Sequence, residues 1–372
     1  MAPYILHGWH LSYFTAKIIC YFRYKNIPFT MKYLNVFDLQ YRIKKKVGAS
    51  VMPVVLSPNN EWIQDTKNII ETIEPRFPEA PIIPVTPKRR FISHLLEAWG
   101  DEFWIPMAMH YRWNYDQCVK FFKNEAGDNL LPWAPRFLKD YAADKTASIL
   151  IRYLPTVGVR PEQQDILEEW TLDILHLLED HFTVHPYLLG NTPTIGDFGL
   201  AGPLVGHLGR DPWPMNNIIQ KYPHVQDWIH RMQTVSHSSI TLKSAVSDDT
   251  IPDTLIPILG CIFCEYLPML QATVQPVEEL YEIEKFAAGK NLPRALGDIE
   301  FPLGGRVYRR AALPFNLWKA QNVLDQYEDM SLSDKEILKN WLKSIPNNAA
   351  GFLDLQFRRL DRRVLHVCFA HL

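Results

Sequence analysis

Residues 4–34 read YILHGWHLSYFTAKIICYFRYKNIPFTMKYL, and three patterns follow one another within them. Tyr4 to His7 is an apolar run of strand length, Ser12 to Tyr24 carries Phe14, Ile18 and Phe22 at helical spacing, and Phe29 to Leu34 returns to a strand pattern. Strand, helix and strand in this order predict a βαβ unit. Outward from it, the Lys-rich stretch through Lys46 predicts a helix or loop, and Val51-Met52-Pro53-Val54-Val55-Leu56 a strand. A turn at Ser57-Pro58-Asn59-Asn60 leads into a short strand, Glu61-Trp62-Ile63, and Thr66 to Ile73 closes the unit as a helix. The proline-rich segment Pro75 to Pro87 reads as a linker.

Beyond the linker the signals are helical. Leu167, Trp170, Ile174, Leu177 and Leu178 share a face of a helix starting near Pro161, where proline suits a first turn. Thr194-Ile195-Gly196-Asp197 has the form of a capping box, with Thr194 accepting from a backbone N–H and Asp197 reaching back. Residues 299–308 predict a hairpin turning at Gly304-Gly305. The junction Ser236 to Asp249 is polar but lacks a proline or glycine run, so the apolar residues after it, Leu255, Ile258, Leu259 and Ile262, are expected to pack on the preceding fold.

The chain has 372 residues, 47% hydrophobic and 22% charged, enough for two or three domains. A formal charge of -2 and a pI near 6.7 give no field to gather nucleic acid. The apolar run Ile256 to Leu270 is broken by Pro257, Glu265 and Pro268, so no membrane span is expected. No basic segment followed by a long apolar one opens the sequence, and the five cysteines have no disulfide-framework spacing. The expectation is a cytoplasmic protein. Cys261 and Cys264 lack a second pair for zinc, and His176, His181 and His185 do not share a helical face, so no metal site is expected.

Four features, in order, carry a resemblance. Ser12-Tyr13-Phe14-Thr15-Ala16-Lys17 opens the first helix, Val51-Met52-Pro53-Val54 opens a strand, Asp65-Thr66 opens the next helix, and Tyr187-Leu188-Leu189-Gly190-Asn191-Thr192-Pro193-Thr194-Ile195-Gly196-Asp197-Phe198 precedes a later one. Taken singly, Ser12 reads as an N-cap, Pro53 as an edge-strand proline, and Asp65 or Thr66 as a cap. Together they resemble the glutathione transferase superfamily over about residues 4–235, with Tyr222-Pro223 and Trp228 following at the family's usual distance.

The resemblance implies a thioredoxin-like βαβ-ββα domain at residues 1–85, an all-helical domain at 86–240, and a mostly helical extension with a β-hairpin at 241–372. It implies glutathione as co-substrate, with Ser12 as the catalytic hydroxyl beside the thiol. A cis bond at Met52-Pro53 would turn Met52 backbone groups toward the cysteinyl unit, and Gln64, Asp65 and Thr66 would hold the γ-glutamyl end. Trp104, Met107, His110 and Tyr111 would line a pocket for a hydrophobic small molecule. The implied activity is attack of the activated thiol on a hydrophobic electrophile. Isomerisation, dehalogenation, or a non-catalytic binding module of the same fold are the alternatives. A homodimer is implied as well.

Several departures stand beside this. The thioredoxin C-x-x-C positions hold Ser12 and Thr15, Tyr13 replaces the usual proline, and Ser50 stands where a basic residue beside the glycine carboxylate is usual. Lys44, Lys45 or Lys46 could substitute for that base.

Overall fold

The computed structural model describes residues 2–239, 249–283 and 286–371. The junction Ser236 to Asp249 lies, at residues 240–248, outside the described residues. In chain order come β1 (Tyr4–Gly8), α1 (Tyr13–Tyr24), β2 (Phe29–Tyr33), α2 (Lys44–Val47), β3 (Val54–Leu56), β4 (Trp62–Gln64) and α3 (Thr66–Ile73). Helices α4 (Pro87–Ala98), α5 (Ile105–Trp113), α6 (Asp116–Leu130), α7 (Arg136–Ile151), α8 (Gln164–Val184), α9 (Ile195–Pro203), α10 (Pro212–Asn217), α11 (Pro223–Thr234), α12 (Ile256–Cys261) and α13 (Leu267–Glu278) follow. The hairpin β5 (Asp298–Leu303) and β6 (Arg306–Ala311), α14 (Pro314–Glu328), α15 (Leu332–Ser344), and the hairpin β7 (Leu360–Arg363) and β8 (His366–Phe369) complete the chain.

Contacts group these elements into two compact units, each assembled from three separated segments. The first holds Met1–Pro81, Ala108–Leu154 and Phe198–Ser244; the second holds Ile82–Met107, Pro155–Asp197 and Ala245–Leu372.

The first unit is organised on a four-stranded sheet of order β2-β1-β3-β4, with β1 and β2 parallel and the other pairs antiparallel. It contains the βαβ unit expected from the sequence pattern and is the thioredoxin-like arrangement that the resemblance implies. The expected helix at residues 66–73 forms because Asp65 caps it and Ile69, Ile70 and Ile73 bury one face. Gly8 ends β1 where a Cβ would lie 2.6 Å from Thr15 Oγ1, so only glycine lets the strand end this close to α1.

A buried arginine fixes the segment between β1 and α1. Arg112 donates through Nε and Nη2 to the two oxygens of Asp211, each at 2.8 Å, and through Nη1 to the carbonyl of Leu11 at 2.6 Å. Its Nη2 also reaches Gly206 O at 3.1 Å, and Nη1 lies 3.0 Å from His207 Nε2. Burial first, and the Arg112 charge second, hold His207 well below its ordinary pKa. The neutral tautomer that accepts at Nε2 and donates from Nδ1 to Ala108 O fits this pattern.

The second unit has an aromatic interior. Trp170 packs edge-on against Trp99 and Trp104, and Phe103 touches Trp170, Tyr266 and Phe301. Two π-helical turns, Trp99–Phe103 and Ile262–Tyr266, meet in this core. Glu265 accepts from Trp170 Nε1 at 2.6 Å and from the Gly304 N–H at 2.9 Å, tying the expected Gly304-Gly305 hairpin to α8. Lys319 of α14 donates to Asp101 at 2.6 Å with both side chains buried. At the start of α9 the Asp197 carboxylate reaches back to the Thr194 N–H and to Leu188 N–H, as a capping box requires, but the Thr194 hydroxyl donates to Asp197 instead of accepting from the helix.

The apolar run read as broken by prolines is instead a continuous helical stretch. Pro257 falls in the first turn of α12, where the missing N–H costs nothing, and Pro268 follows directly on the π-helical turn Ile262–Tyr266. By length and composition Asp253–Glu278 could cross a membrane. Within the second unit, however, Ile258, Leu259, Tyr266, Met269 and Leu270 are wholly buried, and the stretch serves as its core helix.

Ending the chain after residue 240 should therefore strip the partners of Trp170 and Phe103 and yield aggregated protein; a soluble fragment melting like the full chain would contradict this. Arg112→Met should lower unfolding free energy by about 3–5 kcal/mol, because Asp211 is left buried without its partner. Pairing it with Asp211→Leu should recover most of the loss in urea titrations. A single Arg112→Met change within about 1 kcal/mol of wild type would show the clamp to be dispensable.

Candidate functional site

The C-terminal end of β1 leads into a tight turn in which the Ser12 N–H donates to Trp9 O at 3.0 Å. The turn is fastened on two sides. Trp9 Nε1 donates to Leu34 O at 2.8 Å, and the carbonyl of Leu11 is held by Arg112. Ser12, half-buried, takes extended backbone angles and caps α1, its Oγ accepting from Thr15 N–H at 3.3 Å. A hydroxyl that accepts still has its proton to donate, so the cap leaves a donor at the head of a helix. Tyr13, in the place of the usual proline, is buried, its ring lying where a Cβ on Gly202 would clash at 2.2 Å and 5.5 Å from the His207 ring. Its role is packing.

Met52-Pro53 is a cis peptide bond. The β3 ladder starts at Val54, paired with His7 and Gln64, so Met52 sits just beyond the end of the ladder and half-buried. Asp65 stands between β4 and α3 at φ 79°, ψ 136°, a conformation other than the left-handed helix and costly for a residue with a Cβ. Its carboxylate caps Lys67 N–H at 3.0 Å. Thr66 is buried beside it, and Gln64 is half-buried at the end of β4. The first unit thus contains Ser12, Met52, Pro53, Gln64, Asp65 and Thr66 at strand ends and helix starts of one small sheet.

Electrostatics around the turn favour neutral imidazoles. His7, buried against the Trp62 ring at 5.1 Å with no hydrogen-bond partner for either nitrogen among the described residues, is pushed down to about 4, by burial first and then by Lys32. His10 is lowered by burial, Arg210 and Arg23. Of the Lys44-Lys45-Lys46 run, all exposed, Lys46 lies over Trp62 at 5.8 Å.

The four residues expected to line an acceptor pocket are all buried. Trp104 and Met107 belong to the second unit, where Trp104 packs on Trp99 and Trp170. His110 and Tyr111 belong to the first, with Tyr111 stacked on Tyr115 and Trp213 and His110 Nδ1 2.8 Å from Asn114 Nδ2. They fill aromatic cores and offer no surface to a ligand as they stand. Burial pushes Cys261 up to about 11, and among the described residues no group of His, Cys, Asp and Glu could hold a metal.

Arg112, Asp211 and His207 were absent from the sequence reading. The available signal was an arginine inside the apolar stretch Ile105–Trp113, since a charge on a helix buried all round must find a partner.

Compared with known proteins, residues 6–81 match the family model described as glutathione S-transferase, N-terminal domain. No curated protein matches the chain. Among solved structures, a GST-like protein from Pseudomonas syringae is 16% identical with a TM-score of 0.44, covering 85% of this chain and 98% of that one. A glutathione S-transferase from Rhodospirillum rubrum is 15% identical, TM-score 0.41, covering 67% and 96% respectively. One from Methylobacterium radiotolerans, in complex with glutathione sulfonate, is 15% identical, TM-score 0.40, covering 67% and 100%. With its sheet order and cis proline, the segment of residues 6–81 is a thioredoxin-like domain of the glutathione S-transferase N-terminal family.

Proposed function

We propose that the protein binds glutathione at the first unit and activates its thiol for attack on an electrophilic small molecule. The observation that carries the reading is the backbone of Asp65, held at positive φ at the head of α3. Such strain costs about 1–3 kcal/mol and persists chiefly where the surroundings impose it, as at ligand clamps. The family match over residues 6–81 supports glutathione as the ligand of such a clamp.

The roles follow from the chemistry of each group. The γ-glutamyl carboxylate suits the buried Thr66 hydroxyl and the N–H groups at the start of α3, while its ammonium suits Asp65 and Gln64. Backbone groups of Met52 would pair with the cysteinyl unit. The Ser12 O–H would donate to the sulfur, and because a donor favours the charged form, the thiol would ionise at lower pH than in water. The thiolate then forms a bond to an electrophilic carbon. Whether conjugation, isomerisation or dehalogenation follows depends on the acceptor.

A second reading, a binding module without turnover, draws on the same Ser12: its Oγ already accepts from Thr15 N–H, so capping alone explains it. Two substitutions separate the readings. Thr66→Ala should weaken glutathione binding in calorimetry by about 1–3 kcal/mol, because a charged carboxylate loses its donor; unchanged affinity would remove Thr66 from the site. Ser12→Ala should cut kcat by about 10- to 100-fold with little change in glutathione affinity, the cost of losing one donor to a developing anion. Equal turnover by the variant would return Ser12 to capping alone.

A further inference from the structure

Helix α7 turns its small side chains inward and its large apolar ones outward. Ala143 and Ala147 are buried, and the helix lies so close to α6 that a Cβ on Gly127 would come within 2.8 Å of Lys139 O. Outward, at every fourth residue from the turn before the helix, stand Trp133, Phe137, Tyr141, Lys145 and Ile149. The four apolar ones are 59%, 69%, 62% and 64% exposed. A surface helix ordinarily buries its large apolar side chains and shows its polar ones. Here alanine suffices for the buried contact, so packing does not account for the stripe.

A second stripe adjoins the first. The helical turn Asp38–Ile43 runs directly into α2, and Phe37, Tyr41 and Lys45 follow one another at the same four-residue interval, all exposed. Phe37 stacks on Tyr41 at 6.3 Å and on Trp133 at 6.0 Å, with planes 22° and 23° apart, so the two stripes form one surface of the first unit. The charge on this surface has one sign. Lys145 lies over the Tyr141 ring at 5.3 Å, and among the described residues no carboxylate pairs with Lys44, Lys45 or Lys145. The acids beside the stripes are already neutralised: Asp140 binds Arg136 at 2.7 Å, Asp144 binds Lys123 at 2.8 Å, and Asp38 binds Arg42 at 2.8 Å.

We infer that this surface docks the protein on an anionic lipid bilayer, with α7 lying in the plane of the headgroups. Tyrosine and tryptophan join an apolar ring to a polar tip, the composition that settles at the boundary between headgroups and acyl chains. Lysines on long stems reach from that depth to lipid phosphates and carboxylates. A helix with an apolar outer face and cations along it lies flat at this boundary. The formal charge of -2 on the whole chain does not oppose docking, because a bilayer surface acts on the charge within about a Debye length of it. Contact of this face with a second copy of itself would offer the stripe lysines no unpaired acid, and is disfavoured. The proposal stands apart from the glutathione reading, since neither stripe holds a residue assigned to that ligand.

The test mixes the full-length protein with vesicles of phosphatidylcholine alone, and with vesicles holding about one third phosphatidylserine. Sedimentation should carry the protein down with the second kind only, and raising salt from about 0.1 M to about 0.5 M should release it. Lys44→Gln with Lys45→Gln should weaken partitioning roughly 10- to 30-fold, and Phe137→Ser about tenfold. Phospholipids brominated high on the acyl chain should quench tryptophan fluorescence of the wild type, and Trp133→Phe should lose most of that quenching. All these side chains are exposed, so the variants keep their cores, and melting temperature checks it. No sedimentation with anionic vesicles, equal binding to both kinds, or binding and quenching unchanged in the variants overturns the proposal. So does a dimer that Phe137→Ser splits in light scattering without altering vesicle binding, since the face would then be a subunit contact.

Discussion

The guanidinium of Arg112 is the fixed point of the first unit. Taking it out of water is costly, and the cost is offset only because its donors find partners: two oxygens of Asp211, the carbonyls of Leu11 and Gly206, and the neutral ring of His207. An arginine fork suits this work and a lysine does not, since planarity lets one group orient two chain segments and a carboxylate together. One of those segments ends in Ser12. The position of the serine hydroxyl therefore depends on an ion pair between Arg112 and Asp211, residues far along the chain from it.

The second unit solves a different problem, that of burying residues 249–371 with little regular sheet to organise them. It does so by aromatic interlocking around Trp170 and by pairing a buried charge with a buried charge, as in Lys319 with Asp101. The two π-helical turns carry Asp101 and Glu265, both buried in this interior. Because its three segments interleave with those of the first unit along the sequence, this unit is not an appendage that evolution could add or delete as one block.

Local features were legible in the sequence and distant pairings were not. The helix at Thr66–Ile73, the strand after Pro53 and the hairpin at Gly304-Gly305 each announce themselves within a few residues through caps, period or turn chemistry. The family resemblance placed Ser12, Met52, Pro53, Gln64, Asp65 and Thr66 in one N-terminal fold unit. By contrast, Trp104, Met107, His110 and Tyr111 were read as pocket-forming because aromatic density marks apolar surroundings, but density says nothing about whether a cavity remains once neighbours such as Trp170 and Trp213 arrive. The β7–β8 hairpin was missed because its turn uses Val364 at φ 52°, a β-branched residue where turn rules expect glycine or asparagine. The Arg112 clamp was missed because its partners lie too far away in sequence for any local rule.

The central claim, that the turn held by Arg112 offers the Ser12 hydroxyl to a bound thiol, is tested most directly by titrating the ultraviolet absorbance of the thiolate of glutathione in complex with the protein. A free cysteine-type thiol ionises with a pKa of about 8.5. The account predicts a bound thiol that ionises at least about one unit lower, returning toward the free value in Ser12→Ala as the donor is lost. A bound thiol that titrates as it does in water, or one equally shifted in Ser12→Ala, would contradict it.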